Sequence, residues 1–132
     1  MKLWINRPTC VGVLSAVVAG VLSGCGCDQT FQSEEKSPLG DKLATVSTVD
    51  CGGALGRAST HVHIRNSNTP FSVGNGIVLA VDAKVLVTIR WKDNQSLMVY
   101  GPKKLFNHDF ADGRIKAQKF EVDGIRIDYQ EL

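Results

Sequence analysis

Two histidines with a spacing suited to metal binding, His61 and His63, stand two residues apart in a segment rich in β-branched residues. Residues i and i+2 of a strand point to the same face, so both imidazoles can approach one zinc or copper ion. His108 or Asp109 would supply a third ligand. The shared face also carries Arg65, which favours a solvent-facing strand with titratable side chains. We therefore predict no resident metal or cofactor, and no catalytic residue.

The segment around Cys51 suggests two other kinds of chemistry. Cys51 with His61 or His63 would make a thiol nucleophile and its base, but no recognised motif surrounds the cysteine. Residues 51–57 have the glycine content of a backbone cradle for anions, yet no Walker lysine and no following helix. We interpret residues 51–57 as a loop that needs the conformational freedom of glycine.

The N-terminus has the organisation of a secretory signal. Lys2 and Arg7 make the first segment positive, and residues 9–23 contain no charged side chain. This uncharged run is interrupted by glycine and serine, and it is too short for a permanent membrane span, which needs about 20 apolar residues. It ends in the motif Leu22-Ser23-Gly24-Cys25.

This motif resembles the lipobox of bacterial lipoprotein precursors, in which a leucine and two small residues precede an obligatory cysteine. The resemblance implies that residues 1–24 are removed and that the Cys25 sulfur is linked to diacylglycerol. Several acyl chains make such an anchor stable, because each buried CH₂ contributes about 0.8 kcal/mol. The residue after Cys25 is Gly26, whereas an aspartate at this position is associated with retention in the inner membrane. In an envelope with two membranes we therefore expect the outer membrane, facing the periplasm.

Cleavage also changes the charge of the chain. The remaining 108 residues have the length of one domain and contain 13 basic and 13 acidic side chains, since Lys2 and Arg7 leave with the signal. Positively and negatively charged side chains are mixed along the sequence, as on an ordinary solvated surface. We therefore exclude nucleic acid as a partner. The expected partners are the membrane, through the acyl chains, and an envelope protein or glycan.

The same processing leaves one pair of cysteines. Cys10 leaves with the signal and Cys25 is blocked by lipid, so Cys27 and Cys51 remain. Two thiols of one small domain in an oxidising compartment favour a disulfide, which would close a loop of about 24 residues. The alternative is a buried free thiol at Cys51 and a mobile one at Cys27.

Composition divides the mature chain into a tether and a domain. Residues 25–42 are polar and contain Pro38, and they predict a flexible tether. Residues 43–132 consist of short segments rich in Val, Ile and Thr, punctuated by Gly, Asn and Asp, which is the spacing of strands and turns. We predict one antiparallel all-β domain there, either sandwich-like or a strongly curved sheet.

The hydrophobic pattern of this domain has a period of two, as in half-buried strands. The predicted strands are residues 43–49, 59–65, 76–81, 84–91, 96–100 and 119–129. Residues 92–95 predict a hairpin loop, and residues 82–83 a tighter one before it. Asp123-Gly124 is either the turn of a last hairpin or a bulge within one long strand.

The order of motifs in the mature part resembles a group of small bacterial proteins that often carry lipoprotein signals. The corresponding residues are Ser37-Pro38-Leu39-Gly40, Asp50-Cys51-Gly52-Gly53-Ala54, Ser59-Thr60-His61-Val62, Arg90-Trp91-Lys92-Asp93 and Gly124-Ile125-Arg126-Ile127-Asp128-Tyr129. The resemblance covers most of residues 37–129, and this chain departs from it at Leu39 and around Gly53. It supports the outline of the fold and implies no activity.

These observations predict a lipid-anchored protein of the cell envelope that binds or supports another envelope component without enzymatic activity. A more specific form of this prediction is an inhibitor of a secreted hydrolase, by analogy of fold with other compact β lipoproteins. The alternative is a small metal-binding protein or hydrolase that uses His61, His63 and His108.

Overall fold

The computed structural model describes residues 27–52, 57–72, 74–106 and 114–132. The regular secondary structure in these ranges consists of strands. They are β1 (Asp28–Lys36), β2 (Lys42–Asp50), β3 (Ala58–Asn66), β4 (Ile77–Val81), β5 (Thr88–Asp93), β6 (Ser96–Gly101), β7 (Ile115–Gln118), β8 (Glu121–Val122) and β9 (Ile125–Glu131). The prediction of an all-β fold is confirmed. Within these ranges there is no helix with the length and apolar composition needed to cross a membrane.

The strands form two sheets. Sheet A has five strands in the order β1-β2-β3-β4-β7, and sheet B has four in the order β5-β6-β9-β8. Neighbouring strands are antiparallel except β6 and β9, which run parallel. The antiparallel arrangement that the sequence predicts therefore has one exception. After β6 the chain passes through β7 of sheet A and returns to sheet B with β8, and β9 then lies parallel beside β6.

The core lies between the sheets and is built from alternating apolar side chains of both. On β3, for example, Val62 and Ile64 belong to the core, whereas His61 and His63 lie on the opposite face. The buried core side chains are Ala44, Val46, Val62, Ile64, Val78, Leu79, Val81, Val87, Ile89, Trp91, Leu97, Val99, Ile125 and Ile127. Since a shift of one residue would turn each strand over, this apolar pattern fixes the register of the sheets.

Strand β1 occupies residues that the sequence predicts as a tether. Its main chain pairs with β2 along its length, with a bulge at Gln32. Most of its side chains are exposed, so it lacks the alternation by which a strand is recognised. Its order comes from the ladder to β2 and from a hydrogen bond of Trp91 to the Glu35 carbonyl. The tether prediction for residues 25–42 is therefore wrong from residue 28 onward.

Other connections also differ from the sequence prediction. Residues 82–83, expected to turn a hairpin, instead carry the chain from β4 in sheet A to β5 in sheet B, where the strand begins at Thr88 rather than at residue 84. Strand β7 is absent from the sequence prediction. Asp123 and Gly124, with φ of 49° and 76°, turn the hairpin of β8 and β9, as a type I′ turn requires.

The strand directions define two ends of the sandwich. We call the end where β1 begins and β2 ends the anchor end, because Cys27 lies there, two residues after the predicted lipidation site Cys25. The opposite end, the far end, carries the turn at residues 37–41. The turn between β5 and β6 lies there too, since Asn94 accepts a hydrogen bond from the Leu39 amide at 2.7 Å. The length of β1 separates the two ends by about 30 Å.

Candidate functional site

A disulfide joins Cys27 and Cys51 at the anchor end. It connects the residue before β1 to the residue after β2, next to Asp28 and Asp50, which are partners in the ladder. Cys25, the predicted lipidation site, lies outside the described residues. The disulfide lies two positions after Cys25 along the chain.

His61 and His63 lie on the face of sheet A turned away from the core. In the ladder with β2, His61 is the partner of Ser47 and His63 is the partner of Thr45. The sequence favours a solvent-facing strand here, and this is wrong for His63, which is completely buried. His61 is partly buried. The physical reason is the connection between β3 and β4, which covers this face.

Two phenyl rings form the cover. The ring of Phe71, in the connection after β3, lies 4.9 Å from the ring of His63 and 5.0 Å from Phe31 of β1, measured between centres. Arg65 holds the connection in place, because its Nε donates a hydrogen bond to the Thr69 carbonyl at 3.1 Å. Its guanidinium also lies over the Phe71 ring at 5.5 Å, a favourable cation–π geometry.

The hydrogen bond of His63 determines its tautomer. Its Nδ1 lies 3.0 Å from the carbonyl oxygen of Asn75, which can only accept, so Nδ1 carries the proton and Nε2 keeps a lone pair. Burial lowers the pKa of His63 below its ordinary value of 6.5; the bond to Asn75 opposes this shift, and the charges of His61 and Arg65 add to it. Burial also lowers the pKa of His61. Both imidazoles are therefore mainly neutral at pH 7.

Unpaired polar atoms collect on this face. Among the described residues, the buried side-chain atoms without a hydrogen-bond partner are Gln29 Nε2, Ser47 Oγ, His61 Nδ1 and His63 Nε2. By the ladder registers all four belong to the outer face of sheet A. Because buried polar atoms are normally hydrogen-bonded, such a group calls for an explanation. We call Ser47, His61 and His63 the histidine patch.

An ion pair borders the histidine patch. Arg65 Nη2 lies 3.3 Å from Glu34 Oε2, and the Thr45 hydroxyl donates to the same oxygen at 3.2 Å. The Glu34 side chain is about half exposed, so the pair contributes little to stability. It does balance the charge of Arg65 beside the two neutral imidazoles.

The other predicted ligands are not brought to the patch by the described part of the chain. His108 and Asp109 lie outside the described residues. Within the described ranges, no group of three or more His, Cys, Asp or Glu side chains could hold a metal ion. The structure thus brings His61 and His63 together without a third ligand of these types from those ranges.

The turn at residues 37–41 forms a firm tip at the far end. The Leu39 side chain is 75% exposed, whereas the main chain around it is fixed. The Gly40 amide donates to the Ser37 carbonyl at 2.7 Å and the Leu39 amide to Asn94 Oδ1 at 2.7 Å. An exposed apolar side chain on a fixed backbone is suited to partner binding, because little freedom is lost on association. Sequence reasoning misses this tip because it assigns these residues to the tether.

A groove of about 390 Å³ offers a second surface. It is lined by Gln32, Ser33, Glu34, Glu35, Leu86, Val87, Thr88 and Ile89. These residues come from β1, from the two residues before β5 and from the first two residues of β5, and β1 and β5 are edge strands of the two sheets. Edge strands present main-chain groups that are not paired within the sheet, and Leu86 adds a side chain that is 72% exposed.

The described part of the chain is thus a two-sheet all-β domain, with a disulfide at the anchor end and the exposed Leu39 side chain at the far end. Comparison of the chain with protein-family models, with curated proteins and with solved structures finds no match.

Proposed function

We propose that the protein is a lipid-anchored component of the cell envelope that binds a partner there and does not catalyse a reaction. The observation that carries this proposal is the position of the disulfide at Cys27, two residues after the predicted anchor Cys25 and at the opposite end from Leu39. In this arrangement the anchor and the exposed tip are held apart by the sandwich.

The short connection between Cys25 and the disulfide supports a domain with a fixed orientation relative to the bilayer. Residues 25 and 26 span only about 7 Å when extended, and Cys27 is covalently held to the residue that follows β2. A flexible tether over residues 25–42 would allow a reach of about 20 Å. Strand β1 removes most of that freedom, so an acylated Cys25 would hold the anchor end of the sandwich against the bilayer.

The tip supports binding, and in particular the inhibitor form of the proposal. Leu39 would stand about 30 Å above the anchor end, where its side chain can enter a cleft of a secreted hydrolase while its backbone stays fixed. The alternative of a hydrolase that uses His61, His63 and His108 is less well supported. His63 is completely buried under Phe71 and is not accessible to a large substrate.

Site-specific crosslinking in the full-length, membrane-anchored protein tests this proposal. A photoreactive amino acid would replace Leu39 in one sample and Leu86 in a matched control. The two side chains are 75% and 72% exposed, so neither replacement disturbs the core. We expect one discrete protein adduct from position 39 and none from position 86.

The partner identified in this way allows a second measurement. Leu39→Asp should weaken its binding at least about tenfold, as for a central apolar contact, and Leu86→Asp should leave it unchanged. If the partner is a hydrolase, the wild-type protein should inhibit it and Leu39→Asp should not. Adducts from position 86 alone would move the binding surface to the groove. No adduct from either position would contradict the proposed binding function.

A further inference from the structure

The histidine patch combines three features that a small ligand requires. Ser47 Oγ, His61 Nδ1 and His63 Nε2 are buried without hydrogen-bond partners among the described residues. The tautomer of His63 leaves a lone pair on Nε2, and no hydrogen bond within these ranges commits His61 Nδ1 to carry a proton. His61 is partly exposed, so the patch can be entered from solvent on its side.

The distance between the two rings fits one shared metal ion. Imidazole nitrogens bind first-row ions at about 2.0–2.1 Å, which allows the centres of two rings on one ion to lie up to about 6.4 Å apart. The centres of His61 and His63 are 5.8 Å apart. The separation of the two rings therefore lies within the range that one shared ion allows.

The surroundings of the rings favour an ion of low charge and low coordination number. Zinc takes four ligands, and the described residues add no third His, Cys, Asp or Glu side chain to the patch. A monovalent copper ion is satisfied by two nitrogen ligands, and imidazole is among the ligands that suit copper. It also adds a single positive charge beside Arg65, which Glu34 already balances.

We propose that His61 and His63 bind one monovalent copper ion beneath the ring of Phe71. This site is independent of the proposed partner surface at Leu39. It departs from the sequence-based expectation that the chain holds no metal, because that expectation treats the histidine face as an ordinary solvated surface.

Silver(I) is the probe for this site, because it has the charge and coordination preference of monovalent copper without its redox chemistry. The mature protein would be extracted from membranes with the Cys27–Cys51 disulfide intact, and Ag⁺ would be titrated into it. Native mass spectrometry should show one Ag⁺ per chain. Imidazole ¹⁵N spectra should show a shift at His61 Nδ1 and His63 Nε2, while the protonated His63 Nδ1 keeps its bond to Asn75.

Three variants complete the test. His61→Gln and His63→Gln should each weaken Ag⁺ binding at least about tenfold, and His108→Gln is the matched control that should leave it unchanged. Should His63→Gln fail to fold, the ¹⁵N shifts of the unmodified protein decide the question. The proposal is overturned if no Ag⁺ is retained, if Zn²⁺ binds as tightly as Ag⁺, or if His108→Gln removes binding. The last result would favour a three-histidine site.

Discussion

The indole Nε1 of Trp91 on β5 donates a hydrogen bond to the main-chain carbonyl of Glu35 on β1, at 2.9 Å. This bond links the edge strand of sheet B to the edge strand of sheet A. It fixes a polar segment whose side chains are mostly exposed. The rigid connection between the predicted anchor and the far end therefore depends on a buried tryptophan from the opposite sheet.

Trp91→Phe keeps an aromatic ring and removes the donor. We expect the free energy of unfolding to fall by about 1–3 kcal/mol, because Glu35 loses its partner and the smaller ring leaves a gap in the core. Urea unfolding measures the loss. Hydrogen exchange should show faster exchange in β1 than in β6. Equal protection of β1 in the variant and the wild type would show that Trp91 does not hold this strand.

The disulfide at the anchor end should stabilise the whole sandwich. Replacing both Cys27 and Cys51 by Ser releases a closed loop of 24 residues, and the chain-entropy relation gives a loss of about 3 kcal/mol. The reduced wild-type protein should unfold at the same urea concentration as the double variant. If the oxidised protein and the double variant unfold together, the bond does not constrain the chain.

Gly76 and Gly124 form a matched pair, since both have positive φ, at 74° and 76°. A Cβ at Gly76 would collide with the main-chain oxygen of Ile64, whereas a Cβ at Gly124 has open space around it. Gly124→Ala should cost only about 1–2 kcal/mol, from the backbone conformation. Gly76→Ala should cost clearly more and should loosen the connection that covers His63. Equal losses in thermal or urea unfolding would be evidence against the close approach at Ile64.

The burial of His63 makes stability depend on pH. Its folded pKa lies below the ordinary value of 6.5, so the unfolded chain binds more protons as the pH falls below 6.5. Stability is therefore full above pH 6.5 and declines below it, toward the folded pKa. Urea unfolding at about pH 7.5 and about pH 5.5 should show this decline, and His63→Gln should reduce it. An unchanged pH dependence in that variant would refute the role of His63.

The sequence predicts strands well where one face packs on the core. The alternation around Val62 and Ile64 belongs to β3, whose two flanks are covered by neighbouring strands. Strand β1 is not recognisable in this way because its side chains are mostly exposed, and its order comes from main-chain pairing and from Trp91. Such pairing depends on partners far along the chain and leaves little trace in the local pattern.

The candidate sites also depend on contacts that the local sequence pattern does not show. The spacing of His61 and His63 correctly places both on one face of a strand. Their burial depends on Phe71, which lies in an irregular connection without periodicity, so the sequence gives only one aromatic residue in a polar segment as a signal. The anchor at Cys25 depends on a motif alone, and it stays a prediction.

Mass spectrometry of the protein isolated from its native membranes tests whether the domain is anchored through a lipid on Cys25. We expect a mature chain that begins at Cys25, carries diacylglycerol on that cysteine, and yields a peptide pair linked through Cys27 and Cys51 when digested without reductant. A chain that retains Met1, or that is cleaved but carries no lipid, would contradict it.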